Sequence, residues 1–241
     1  LDFFFGPVLY WHIMNVFSAA AQIASVIYVY TGAYSLWLDR SNPLNKAYFG
    51  LSLCFAYWAM TYAQVYSAPD TANAWLWYDL SSFGRVTWYA FFMVFALILT
   101  DRAGLFKRHR WLLPLIFLPP TLFIAQSLTG YLGTSSLVSG PLGFIEIPAR
   151  NALYYLYVGT YAGYTVFGLH MIYTWTKRQT AARKRRQGFM IFVSGYIAFV
   201  VSLLTNLFFP LLGVHTIPAL APILILFWSL GIFYTIRKHH F

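Results

Sequence analysis

The residues of this sequence best able to do chemistry are few and close together. Asp79, Ser82 and Arg85 follow one another at three-residue spacing inside the apolar run from Leu76 to Thr100. An ionisable side chain in such a run is costly to bury and is a functional candidate by default. At 100° per residue the three fan across about 120° of a helix, and the rise from Asp79 to Arg85 is about 9 Å, so a direct pair between them is not expected. Counting about 20 residues back from Asp101 puts the outer boundary of the apolar layer near Ser81, with Asp79 at the interface and Arg85 about 6 Å below it. The guanidinium then needs helix-end carbonyls, water, an anionic ligand, or a carboxylate such as Glu146 from the outer loops; the plain alternative is that it snorkels to lipid headgroups. Its planar fork suits a carboxylate or a phosphate.

Other polar groups fall in the same half of the apolar layer: His12, Asn15, Tyr62, Gln126, Asn151, Tyr155 and Asn206. Tyr62 stands one turn beyond Trp58, and Asn151 one turn from Tyr155, so each pair is able to face a common cavity. The candidate ligand-binding set is therefore Arg85, Asp79, Ser82, Trp58, Tyr62, Tyr155, Asn151 and Asn206, placed between the third, fifth and sixth apolar runs with Tyr62 at the edge. Taken singly, each has an ordinary role in interhelical hydrogen bonding. Catalytic chemistry lacks its parts. There is no HExxH, no GxSxG and no pair of carboxylates within an apolar run, so zinc proteolysis, serine hydrolysis and carboxylate acid/base work are not expected. His12, His170 and His215 fall at unmatched depths for a haem, and the last apolar run has no lysine for a retinal Schiff base. The single cysteine, Cys54, permits neither an internal disulfide nor a cysteine metal site. No cofactor or metal is expected.

These residues are carried by apolar runs that dominate the chain. Of 241 residues, 60% are hydrophobic and only 9% charged, against roughly 25% charged in an ordinary soluble domain. Seven runs reach the roughly 20 residues needed to cross a bilayer core of about 30 Å: Val8 to Leu36, Ala47 to Tyr66, Leu76 to Thr100, Trp111 to Thr129, Asn151 to Trp175, Gly188 to Leu211 and Ile217 to Ile236. They are continuous rather than alternating, which favours helices over a closed barrel. The expected fold is all-α, a polytopic bundle of seven transmembrane helices.

The net charge of +10 reads as topology rather than as a nucleic-acid surface, because the basic residues cluster in alternate connections. Arg40 and Lys46 lie in the first; Arg102, Lys107, Arg108 and Arg110 in the third; Lys177, Arg178 and Arg183 to Arg186 in the fifth; Arg237 and Lys238 after the last run. These are 14 of the 16 lysines and arginines. By the positive-inside rule this face is cytoplasmic, with the N-terminus outside and the C-terminus inside. The longest outer connection, Gly130 to Arg150, is rich in Gly, Ser and Pro and is read either as an ordinary loop or as a lid over the helix ends.

Two groups of motifs resemble a known family. The first is Asn45-Lys46-Ala47-Tyr48-Phe49 leading to Trp58 and Tyr62, then Trp75 and Trp77 before Phe91, Phe92 and Phe95. The second is Arg185-Arg186-Gln187, Gly195, Asn206 to Pro210, Ile217-Pro218, Pro222 and Tyr234 to His239. In order and spacing the sequence is similar to the N-terminal seven-helix sensor region of bacterial histidine kinases and related signalling proteins, over nearly the whole chain. The resemblance implies one sensory input domain, residues 1–241, without chemistry of its own, in the bacterial inner membrane. It also implies a cytoplasmic output module after Phe241, reached through an unbroken last helix, and a homodimer is compatible with it. The ligand is expected to be small or amphiphilic. The rival expectation is a small-solute or lipid transporter, which requires polar groups in the inner half as well.

Overall fold

The computed structural model describes residues 2–130, 134–140, 143–149, 151–214 and 219–239, the side chains of residues 2–15, 134–135 and 238–239 excepted. Ten α-helices, one π-helical turn and one hairpin are present among them. Helix α1 spans Asp2–Leu38 and α2 spans Pro43–Tyr66. Asn42 caps α2 by accepting from the Leu44 N–H, and Pro43 occupies the first turn, where its missing N–H costs nothing. The third apolar run is two helices, α3 (Thr71–Arg85) and α4 (Trp88–Leu99), separated at Val86 and Thr87. Asp70 caps α3 by accepting from the Asn73 N–H at 2.8 Å, which holds its carboxyl below the usual aspartate range.

A short α5 (Gly104–Arg108) precedes α6 (Leu112–Leu128), which contains Pro119 and Pro120. Pro120 has no N–H to offer the carbonyl of Ile116 four residues earlier. The Tyr164 hydroxyl of the next long helix donates to that carbonyl at 3.2 Å, so the lost bond is replaced from a neighbour. Strands β1 (Thr134–Gly140) and β2 (Gly143–Pro148) then form an antiparallel hairpin, with Leu137 opposite Glu146 and Val138 opposite Ile145. This connection is thus neither an irregular loop nor helical, and it is the one departure from an all-α chain among the described residues.

Helix α7 covers Ala152–Arg178 and α8 covers Ala182–Leu203; the latter runs on through a π-helical turn, Leu204–Phe208, into α9 (Phe209–Leu211). Pro210 does not end the helix. It follows a turn whose wider i→i+5 pattern already changes the bonding register, Phe209 N–H going to Leu204 O. Gly213, with φ +79°, closes the segment. Helix α10 spans Ala221–His239, with Pro222 in its first turn, while the expected start at Ile217-Pro218 lies outside the described residues.

Counting α3 with α4 and α8 with α9, the described residues form seven long helical segments. Val16–Leu38, Thr71–Leu99 and Ala182–Leu211 are long and apolar enough to cross a membrane by length and composition; Leu112–Leu128 and Ala221–Arg237 are apolar but shorter. Helices α2 and α7, of 24 and 27 residues, have the length but are less apolar, α2 carrying four tyrosines and α7 six tyrosines, four threonines and three glycines. The bundle has two distinct ends. At one, residues of the first, third and fifth connections, among them Asn42, Asp101 and Arg183, border a single hollow, and Arg183 and Arg186 also flank Tyr234 near the end of α10. At the other lies the hairpin, where Gly143 (φ +106°) approaches the backbone of Tyr66 so closely that a Cβ would meet its carbonyl at 2.7 Å.

Three tyrosines tie α1 and α2 to the last helix. Tyr66 donates to Ala219 O just ahead of α10, Tyr28 to Pro222 O at 3.0 Å, and Tyr48 to Ser229 O at 2.9 Å. Deeper in the core, Trp228 of α10 meets Phe92 at 4.8 Å, Phe55 at 6.1 Å and Trp88 at 6.3 Å between ring centroids. Gly195 makes this possible, since a Cβ there would lie 2.7 Å from the Trp228 ring nitrogen.

Candidate functional site

Arg85 is the last residue of α3, at the break in the third segment, and it is buried. Gly84 beside it lets α3 press on α2: a Cβ there would lie 2.5 Å from Cys54 O and 2.8 Å from the Trp58 nitrogen. The guanidinium is thereby turned into the bundle. Its Nη1 donates to the Tyr78 hydroxyl at 2.7 Å and lies 3.9 Å from Glu146 Oε1 on β2. The Tyr62 hydroxyl donates to Glu146 Oε2 at 3.3 Å. Nε and Nη2 of Arg85 have no hydrogen-bond partner.

Below the hairpin these groups border a cavity of about 60 Å³, enough for a few water molecules. Helix α2 contributes Trp58 and Tyr62, α4 contributes Trp88, and α7 contributes Tyr154, Tyr157 and Tyr161. The opposite wall is Ser202 and Leu203 of α8 with Asn206 and Leu207 of the π-helical turn, and Glu146 reaches in from above. Besides the two arginine nitrogens, Trp58 Nε1 and Ser202 Oγ are buried without a partner. Unpaired buried polar atoms are uncommon in folded proteins, and four in the wall of one cavity mark it out. Both irregularities in the helices, the α3–α4 break and the π-helical turn, border the same space. Such turns occur disproportionately at functional sites.

Of the eight residues singled out from sequence, the structure brings Trp58, Tyr62, Arg85 and Asn206 together around this cavity. The other four stand elsewhere. Asp79 is half-buried on another face of α3; Ser82 is buried, with an unpartnered hydroxyl, outside the wall. Asn151 caps α7, its side chain accepting from the Tyr154 N–H at 2.8 Å. Tyr155 is 51% exposed. Its position is a matter of helical phase: Tyr154, Tyr157 and Tyr161 stand at i, i+3 and i+7 and share one face, whereas Tyr155 is turned 100° from Tyr154. That tyrosine spacing was the signal for the missed residues, and Trp88, three residues beyond Arg85, was another. The side chains of His12 and Asn15 lie outside the described residues.

A family model described as the N-terminal 7TM region of histidine kinase matches residues 20–236. The chain belongs to this family. The match takes in every element around the cavity, from α2 to the π-helical turn, and nearly all of α10. Members of the histidine-kinase 7TM region are the N-terminal sensor part of their proteins rather than a catalytic domain, and this chain is accordingly a multi-pass membrane protein. A comparison with curated proteins finds none that matches.

Proposed function

We propose that this 7TM region is the sensory input domain of a bacterial two-component histidine kinase, binding a small or amphiphilic ligand in the cavity beneath the hairpin. In this reading all seven helical segments cross the inner membrane, the hairpin end lies outside, and the basic end faces the cytoplasm. The 14 basic residues gathered in alternate connections support that orientation. The observation that carries the ligand reading is the cluster of unpartnered donors around Arg85. Site residues are then Trp58, Tyr62, Arg85 and Asn206, joined by Trp88, Tyr157 and Ser202.

Coupling to the effector would follow two short routes. Tyr62 bonds Glu146, and Tyr66 one turn further on bonds the carbonyl just ahead of α10. Trp88 borders the cavity on one side and touches Trp228 of α10 on the other. Helix α10 runs without a break to His239, with no Gly or Pro after Gly231, so rotation or a piston shift can be carried out of the bundle into an output domain after residue 241, most readily in a homodimer.

Two experiments test this. In a Cys54→Ala background, single cysteines at Thr180 to Ala182 should stay protected from an impermeant thiol reagent in intact cells; external labelling would reverse the orientation. A Gly-Gly insertion after Lys238 in the full-length protein should uncouple stimulus from autophosphorylation, and unchanged regulation would remove α10 as the output.

A further inference from the structure

We infer that the cavity takes a carboxylate, held side-on by Arg85, which competes with Glu146 of the hairpin for the same guanidinium. This rests on the reading of the domain as a ligand sensor. The chemistry follows from which atoms are occupied. Nη1 is engaged with Tyr78 and Glu146, while Nε and Nη2 are buried and unpartnered. These two nitrogens share one edge of the planar guanidinium, where their N–H bonds run parallel, and that edge matches the two oxygens of a carboxylate. The remaining unpartnered wall atoms, Trp58 Nε1 and Ser202 Oγ, are a donor only and a donor or acceptor. An acceptor-rich anionic head satisfies this set. A cation does not.

Size and charge narrow the class. A volume of about 60 Å³ is room for roughly four water-sized groups, so a carboxylate with a short apolar stem fits between the rings of Trp88, Tyr157 and Tyr161. Two oxygens of a phosphate also match one guanidinium edge, but with more oxygens to satisfy and up to twice the charge beside Glu146 it suits this site less well than a carboxylate. Glu146 at 3.9 Å already supplies the first negative charge. A second carboxylate on the same guanidinium sets two like charges near each other in a site of low dielectric, so its entry weakens the hold on Glu146 and on the hairpin that carries it.

The test uses the full-length protein in lipid nanodiscs, titrated at constant ionic strength with butyrate, decanoate, methyl butyrate and inorganic phosphate. Tryptophan emission, with Trp58 and Trp88 in the wall, reports binding, and autophosphorylation is read in parallel. Saturable binding of butyrate is expected; binding of decanoate alone would overturn the short stem, because a ten-carbon chain exceeds a cavity of about 60 Å³. Methyl butyrate should not bind, and phosphate should bind at least tenfold more weakly. Arg85→Lys, which keeps the charge and loses the edge, should weaken binding about tenfold or more. Glu146→Gln, which removes the competitor, should tighten it by about tenfold, a gain that misfolding does not produce. The inference falls if neither acid saturates in the wild type and in Glu146→Gln, if Arg85→Lys leaves affinity unchanged, or if phosphate binds as tightly as the acid. If no acid binds but Glu146→Gln still changes autophosphorylation, the carboxylate is wrong and the sensor reading stands. If the acid binds as expected and output never moves, the site stands and the sensor reading falls.

Discussion

The half of the bundle under the hairpin and the core around Trp228 are built from the same helices, yet they are packed on opposite principles. Around Trp228, glycines give way to rings. Gly195 admits the indole, and Gly168 admits Phe92, whose ring atoms a Cβ would meet at 2.5 Å. Phe55, Trp88 and Phe92 close on Trp228 with centroids between 4.8 and 6.3 Å. Both regions leave a polar atom unpartnered, Trp228 Nε1 in the core among them, but under the hairpin four such atoms share one wall, the helices break or change register, and space is left over. The core is filled by the chain itself, whereas under the hairpin a cavity remains, which a ligand completes in the proposed function. Trp88 belongs to both, which makes it the natural hinge between them.

Breaking the core should have the largest effect. Trp228→Ala removes a fully packed indole and should cost about 3–5 kcal/mol, seen as a lowered unfolding midpoint in detergent; a loss under 1 kcal/mol would mean that the core is less tightly packed than its ring contacts indicate. Gly84→Ala comes next. Its Cβ would press on backbone atoms of Cys54 and Trp58 that cannot rotate away, so about 1–3 kcal/mol of destabilisation is expected, together with altered tryptophan emission from the cavity. Ser202→Ala should be the smallest. Its hydroxyl is buried without a partner, so removing it should leave stability within about 0.5 kcal/mol or raise it, while weakening any ligand that uses it. A large loss of stability on Ser202→Ala would show that the cavity wall is as self-sufficient as the core and would erase the contrast.

Much of this architecture is legible in the residues. The apolar runs and their alternating basic connections locate each helical segment, with starts off by up to about six positions, because burial and backbone bonding leave the chain few choices. The break after Arg85 is not legible in the same way. No proline marks it; it arises where Gly84 lets α3 pack closely on α2, a tertiary contact. The π-helical turn is likewise invisible, since Pro210 reads as a stop signal while the neighbouring bonding pattern absorbs it. The cavity was half legible. Arg85, Trp58, Tyr62 and Asn206 announce themselves by type and depth, but the single i+4 step from Asn151 to Tyr155 points away from the cavity, and the longer Tyr154-Tyr157-Tyr161 stripe has the phase of its wall. Loop position alone suggests Glu146 as the acid for Arg85, but its placement depends on a hairpin register that composition does not specify.

In the proposed sensor the contact between hairpin and Arg85 sets the signalling state. The most direct measurement is autophosphorylation of the full-length protein carrying Arg85→Gln, Glu146→Gln and both together, each checked for a cooperative unfolding transition. If the contact is the input, each single change should shift the basal rate in the same direction, and the double change should fall clearly short of their sum, because both remove the shared contact, although Arg85 also bonds Tyr78 and Glu146 also accepts from Tyr62. Basal rates equal to wild type in all three folded variants, or fully additive effects, would contradict the account.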